Sequence, residues 1–325
     1  MSDFAPTASW ERLRLRAELL RRVRRFFDDR GFLEVETPLL SVDTVVDRHL
    51  DPLGVTLPLD PRLPAVGTQF YLQTSPEFAM KRLLAAGGRA IYQITRAFRA
   101  GEQGRLHNPE FTMLEWYRCG DGLQAAMDLL AELAETMLSL SATERLTYQE
   151  AFRRSVGLDP LQSDSRQLRD AVARQGIVPP GSMSADDRDG WLDLLLTECV
   201  EPRLGQGRAT ILYHYPASQA ALARLSPEDC RVAERFELYV QGVELANGYH
   251  ELTDPSVLRQ RSAANNTARI RDGKQALPEK SRLLEAMEHG LPPSSGVALG
   301  FDRLVMLAVG AASLAEVMPF PIDRA

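Results

Sequence analysis

Residues 91–117 read IYQITRAFRAGEQGRLHNPEFTMLEWY. Tyr92, Ile94, Ala97 and Phe98 give a first strand its apolar content, and Phe111, Met113, Leu114 and Trp116 do so for a second. Gly101 and Gly104 lie between them, which predicts an antiparallel hairpin with a long, adaptable tip. Arg99 falls at the end of the first strand, and Arg105, His107 and Asn108 fall in the tip. Side chains alternate along a strand, so Phe111, Met113, Glu115 and Tyr117 share one face. That face carries a ring, a carboxylate and a phenol close to a guanidinium. It suits an anion beside a flat base, with a cation pocket beyond. The alternative is a surface hairpin whose charges are solvated.

Composition narrows the classes. The chain has 325 residues, 44% apolar and 25% charged, which is globular. A net charge of −6 argues against gripping nucleic acid through the overall field. Cys119, Cys199 and Cys230 are odd in number, far apart and without metal-ligand spacing, which predicts a reducing cytosol. The five histidines form no zinc pattern. The N-terminal MSDFAPTASW lacks the apolar core of a signal peptide, and no apolar run is long enough to span a membrane.

Along the chain, residues 10–31 predict an amphipathic helix. Leu15, Leu19, Val23, Phe26 and Phe27 recur at helical spacing, with Ser9 as N-cap and Gly31 as stop. Its other face carries Arg12, Arg14, Arg16, Arg21, Arg22, Arg24 and Arg25, either solvated or a docking surface for an acidic partner. FLEVETPLL follows as a short strand that stops at Pro38, and residues 41–70 are loop-rich. After a strand at 70–73, TSPEFAMKRLLAAG predicts a helix from near Pro76 to Gly87. Thr74 or Ser75 can cap it, and Glu77 in its first turn suits the helix dipole. Residues 123–140 predict a packing helix, and 141–205 short helices and loops without a motif, an insertion on the core. A buried strand at 209–215 precedes ERFELYVQGVELANGYHEL, two strands joined at Gln241 and Gly242. Glu237, Glu244 and Glu251 recur there. A hairpin can bring such carboxylates together as hard oxygen ligands for Mg²⁺ on a triphosphate, or they can pair with arginines. Asn247, Tyr249 and Glu251 alternate onto one face. Residues 256–273 predict a polar helix with solvated arginines. In SGVALGFDRLVMLAVGA a strand and a glycine lead into a helix with Arg303 in its first turn. Gly296 and Gly300 there allow close approach of the backbone to a nucleotide.

The helix–strand–proline at 10–38, the 91–117 hairpin and the closing strand–glycine–helix resemble, in that order, the three signature motifs of class II aminoacyl-tRNA synthetases. HNPEFTMLEWY looks like the lysine-type branch. The resemblance covers nearly the whole chain. It implies an α+β fold, a class II catalytic core with an antiparallel β-sheet of about six strands flanked by helices. Residues 1–325 would form one catalytic domain, dimerising through the first motif. The reaction implied is ATP-dependent activation of an amino acid as its adenylate. Arg99 would meet the α-phosphate and Arg303 the γ-phosphate as the catalytic pair, since arginine's planar fork binds two oxygens. Phe111 would stack on adenine, with Ala100, Gly101, Glu102, His107, Asn108, Leu245 and Gly300 completing the ATP site. Glu244 and Glu237 would hold Mg²⁺. Glu77 would sit by the α-amino group of the substrate, with Ser75 and Pro76 beside it in the substrate site. Glu115, Tyr117, Asn247, Tyr249, Glu251 and Ala298 would line the rest of its pocket. A neutral substrate would leave those carboxylates buried and unpaired, so the pocket expects a diamine.

Lysyl-tRNA synthetases carry an N-terminal anticodon-binding barrel, for which a first-motif helix beginning near residue 10 leaves no room. SPE, HNPEFTMLEWY, ELANGYHELTD and GVALGFDRLVMLA look more like the stand-alone paralogues of those enzymes that act on elongation factor P. The likeness implies (R)-β-lysine (or lysine) as substrate, elongation factor P as acceptor, and a cytoplasmic homodimer that does not use tRNA or a membrane. Two positions depart from lysyl-tRNA synthetases. Gly101 stands where they have an acid, which arrives one residue later as Glu102, and Ala298 stands where they have glycine. Two other readings stay open: a minimal synthetase with another acceptor, and a non-catalytic amino-acid sensor. Retention of Arg99, Glu244 and Arg303 together counts against the sensor.

Overall fold

The computed structural model describes residues 4–325, so the first three residues of the N-terminal stretch read above lie outside it. The chain forms two compact units. One takes the chain up to Asp121 and again from Leu252 onward, and the other is Gly122–Glu251.

The first unit opens with α1 (Trp10–Asp28), capped by Ser9, whose Oγ accepts the Arg12 N–H at 3.3 Å. Its buried Leu19, Val23, Phe26 and Phe27 form the apolar stripe. The Phe27 ring stacks on Tyr92 with centroids 4.7 Å apart, and tilts against Trp116 at 5.2 Å. These aromatics dock α1 onto the central hairpin. β1 (Leu33–Glu34) follows. β2 (Leu40–Ser41), β3 (Gly54–Pro58) and β4 (Gly67–Leu72) make a small antiparallel sheet of order β2-β4-β3 in the stretch that composition marked as loop. α2 (Glu77–Ala85) has Pro76 as N-cap with no side-chain cap, and Ser75 Oγ receives only a 3.4 Å bond from the Glu77 N–H. β5 (Ala90–Phe98) and β6 (Glu110–Cys119) form the predicted antiparallel hairpin, in register from Ala90↔Arg118 to Phe98↔Glu110.

The second unit runs α3 (Leu123–Leu138), β7 (Glu144–Thr147), α4 (Tyr148–Ser155), α5 (Ser165–Arg174), α6 (Arg188–Leu195), β8 (Thr210–Pro216), β9 (Val232–Val240) and β10 (Val243–His250). Capping boxes start α4 at Thr147 and α5 at Asp164. The β9–β10 turn falls at Gln241 and Gly242, with φ of 54° and 74°. Two consecutive left-handed residues match the right-handed twist of the strands they join. Residues 141–205 supply β7 and α4–α6, which pack Tyr148, Phe152, Leu168 and Trp191 into one apolar cluster with Leu212 and Tyr215.

The first unit is completed by α7 (Pro255–Arg271), α8 (Arg282–Gly290), β11 (Ser294–Gly300) and α9 (Phe301–Ala308). Its strands order β1-β5-β6-β11, and those of the second unit β10-β9-β8-β7. An all-antiparallel sheet of about six strands was expected. Among the described residues each unit contributes a set of four, and the outermost strand of each set is parallel, β1 to β5 and β7 to β8. A parallel pair needs a long crossover. The 41–88 segment provides one, and the helices between β7 and β8 provide the other. The arginines of α7 are also not all solvated. Arg269 is 3% exposed, pairs with Asp51 at 2.9 Å, and donates to the carbonyls of Asp47, Leu50 and Gln275. The loop there has carbonyls that need donors once covered. No helix among the described residues is long and apolar enough to cross a membrane.

Candidate active site

In the first unit, β5 ends where Arg99 N–H meets the Pro109 carbonyl at 2.9 Å. The Arg99 guanidinium lies 5.1 Å from the centroid of the Phe111 ring, and its Nε is 3.4 Å from the Thr74 carbonyl. Glu102 reaches back to it at 3.7 Å. The acid that arrives one residue late therefore still faces Arg99. Gly101 sits at φ 78°, the left-handed region, and so turns the chain between Arg99 and Glu102.

Arg303 rises from the first turn of α9. Its Nε donates to the Leu106 carbonyl at 3.2 Å, and Nη2 lies 2.8 Å from His107 Nε2. Burial first, and then the Arg303 charge, push the His107 ring below its ordinary proton affinity, so the neutral ring accepts from Arg303. The hairpin tip is tied down by the Arg105 carbonyl, which accepts from Leu314 N–H at 3.0 Å. Two arginines, an aromatic face and a neutral imidazole thus converge, a donor set suited to phosphate oxygens and a base. Two expected contributors behave differently. Asn108 is 6% exposed; its Nδ2 donates to the Glu110 carbonyl and its Oδ1 accepts from Ile322 N–H at 2.9 Å. Those two bonds fix the orientation of the amide and leave its second N–H for a nucleotide contact. Gly300 has φ −71°, open to any residue, and the atoms nearest a Cβ there would be those of the Arg303 side chain, at 3.6–3.7 Å. Its role is room beside Arg303, not an unusual backbone.

The acidic corner of the same unit joins α2 to β6. Glu77, 9% exposed, accepts from Lys81 Nζ at 2.6 Å. Glu115, 1% exposed, accepts from the Tyr117 hydroxyl at 2.6 Å. In the β6–β11 register Ala298 sits directly opposite Glu115. Opposed residues share a face with Cβ atoms roughly 5 Å apart. Ala298 is half-buried between the buried Val297 and Leu299, so this face has open space beside the methyl. Lys81 was not among the residues singled out from sequence, although its position four after Glu77 is a readable helical ion-pair spacing.

In the second unit, β9 and β10 carry the other carboxylates. Their pairing runs Glu244↔Tyr239, then Ala246↔Leu238, Asn247↔Glu237 and Tyr249↔Arg235. One residue, Leu245, is therefore extra, and the bulge flips the alternation behind it. Glu244 consequently shares a face with Asn247 and Tyr249, all three half-buried, while Leu245 and Ala246 are buried. Leu245 thus packs inward and can reach a nucleotide only through its backbone. Glu251 is 1% exposed and bridges to Ala223.

Glu237 is held tightly by its neighbours. Its Oε1 accepts from Arg235 at 2.6 Å, and its Oε2 accepts from the hydroxyls of Tyr215 and Tyr239. Both oxygens are taken by protein donors, and the carboxylate is 5% exposed. A carboxylate oxygen has two lone pairs, so Oε1, with one donor, keeps one that a cation could use. Glu244 is the more exposed of the two, and Mg²⁺ is commonly held by one or two carboxylates together with substrate phosphates. Among the described residues no three His, Cys, Asp or Glu side chains cluster as a ready-made metal cage.

Comparison with known proteins decides the family. The family model described as tRNA synthetases class II (D, K and N) matches residues 3–324. The chain belongs to the class II tRNA synthetases. Among curated relatives, the elongation factor P–(R)-β-lysine ligase of Edwardsiella ictaluri is 49% identical over 325 residues, covering 100% of this chain and 99% of the relative. The ligase of the same name from Salmonella gallinarum is 50% identical over 324 residues, covering 100% and 99%. That from Yersinia enterocolitica is 49% identical over 325 residues, covering 98% and 99%.

Proposed function

We propose that this protein is an ATP-dependent ligase that activates (R)-β-lysine and transfers it to a lysine side chain of elongation factor P. The observation that carries the reading is full-length identity near one half to relatives named for that reaction. The site geometry supports it. A substrate carboxylate oxygen attacks the α-phosphorus of ATP, the bond to the bridging oxygen breaks, and pyrophosphate leaves. Arg99 and Arg303 would offset charge developing on the phosphates, and Phe111 would hold the base. Mg²⁺, held by Glu244 and Glu237, would neutralise the triphosphate. The acceptor amine then attacks the adenylate carbonyl and AMP leaves. Orientation supplies most of the rate, so no side-chain nucleophile is required. Glu77, Glu115 and Glu251 are assigned to the two ammonium groups, with Tyr117, Asn247 and Tyr249 as polar partners and Ser75 and Pro76 setting the start of α2.

A homodimer in the cytoplasm is part of the proposal. Leu33, Leu39 and Leu40 of the first motif are 65%, 39% and 38% exposed, apolar surface that a second copy would cover. Net charge of −6 favours a protein acceptor over tRNA. The test is incubation with ATP, Mg²⁺ and labelled (R)-β-lysine in the presence of elongation factor P or tRNA. Label should enter elongation factor P, dependent on ATP. Label in tRNA, or no adenylate at all, would overturn the reading.

A further inference from the structure

The chain contains 35 arginines and only three lysines, Lys81, Lys274 and Lys280. Lys81 is the buried one, at 2% exposure. It stands one helical turn after Glu77 on α2 and donates to Glu77 Oε1 at 2.6 Å. Its ammonium lies 6.0 Å from the centroid of the Tyr117 ring, whose hydroxyl is bound to the buried Glu115. Burying a lysine costs desolvation that an apolar side chain of the same length would not. The cation is therefore best explained by what it does to the carboxylates around it.

We infer that Lys81 is a positioning residue for recognition of the substrate amino group. It fixes Glu77 through Oε1, which leaves Oε2 for the incoming amine. Its charge also cancels one of the two carboxylates in this corner, Glu77 and Glu115, so the corner retains one net negative charge and takes one ammonium group. Without Lys81 a buried Glu77 would be uncompensated, and such a group takes up a proton or swings out. Either change removes its grip on the amine. The inference rests on the assignment of Glu77 to the substrate amino group.

The experiment compares (R)-β-lysine with 6-aminohexanoate, which keeps the carboxylate and the terminal amine but lacks the β-amine. The ratio of their kcat/KM values in pyrophosphate exchange measures what the β-amine contributes. In Lys81→Met that ratio should fall at least about ten-fold, the scale for truncating one partner of a buried ion pair. The fall should appear in KM for (R)-β-lysine, with KM for ATP nearly unchanged. A purely structural role would move both substrates together. A ratio that holds or rises in the folded variant overturns the inference. The wild-type protein gives a reading that does not depend on the variant folding. Burial and the bond to Glu77 slow exchange of the Lys81 ammonium with water, which gives it a signal in a proton–nitrogen NMR spectrum. That signal should shift with (R)-β-lysine and not with 6-aminohexanoate, and an equal response to both overturns the inference. A wild-type preference for 6-aminohexanoate would instead sink the assignment of Glu77 itself.

Discussion

Arg16 on α1 and Asp302 at the start of α9 meet at 2.6 Å, with side chains only 12% and 3% exposed. Asp302 also accepts the Thr112 N–H at 2.7 Å, and Arg16 donates to the Thr112 hydroxyl at 2.7 Å. The Arg16 guanidinium lies over the Phe301 ring, 5.0 Å from its centroid. One ion pair thus ties the first-motif helix to the hairpin strand and to the helix that carries Arg303. One of the seven arginines that looked like a solvated stripe is a buried connector.

Asp302→Ala should therefore destabilise the protein by about 3–5 kcal/mol, the cost of leaving the partner charge buried. Urea denaturation measures it. A loss under about 1 kcal/mol, typical of an exposed pair, would show that solvent screens this one.

Arg303→Ala should nearly abolish ATP–pyrophosphate exchange while far-UV circular dichroism stays that of the wild type. Arg303 is the cation that would meet the triphosphate, and its contacts to Leu106 and His107 hold only the hairpin tip. Normal exchange in the folded variant would remove Arg303 from the nucleotide site.

Stability should fall as pH drops below the ordinary histidine value of 6.5. His107, His214 and His250 all bind protons less readily when folded, chiefly because burial disfavours the charged ring. For His250 the nearby Glu234 pulls the other way, and burial with Arg224 outweighs it. The sign follows from linkage. Below 6.5 the unfolded chain binds protons that the folded chain refuses, so stability is full above 6.5 and is lost as pH falls toward the folded values. The slope of stability against pH between about 5 and 7 should flatten in His107→Gln. An unchanged slope would show that His107 takes a proton as easily folded as unfolded.

Ala298→Gly should shift preference toward α-lysine. The Ala298 methyl projects beside Glu115 across the β6–β11 pair, where in the proposed pocket it would narrow the space for an amine on the α-carbon. A β-amine, one carbon further along, avoids it. Removing the methyl should raise kcat/KM for α-lysine roughly ten-fold, the scale of one buried methylene, and do less for β-lysine. Pyrophosphate exchange with both isomers decides; an unchanged ratio would show that Ala298 does not set the preference.

What sequence alone determined about this protein is the set of features written within a few residues of each other. The β5–β6 hairpin was legible from two apolar runs and their glycines. The Gln241–Gly242 turn was legible because φ above zero is a local demand. α1 could be read from its stripe, the shared face of Phe111, Glu115 and Tyr117 from their alternation on one strand, and the place of Arg99 from the end of the strand before it. Tertiary structure decided the rest. The bulge at Leu245 puts Glu244 on the face of Asn247 and Tyr249, which strict alternation forbids, because the phase of a strand is set by its partner's register. Partners also decided which charges were buried. Arg235 with two tyrosines claims Glu237, Asp51 claims Arg269, and Asp302 claims Arg16. A charge in sequence reads the same whether water or a distant side chain will satisfy it, since that choice depends on burial and on residues remote along the chain.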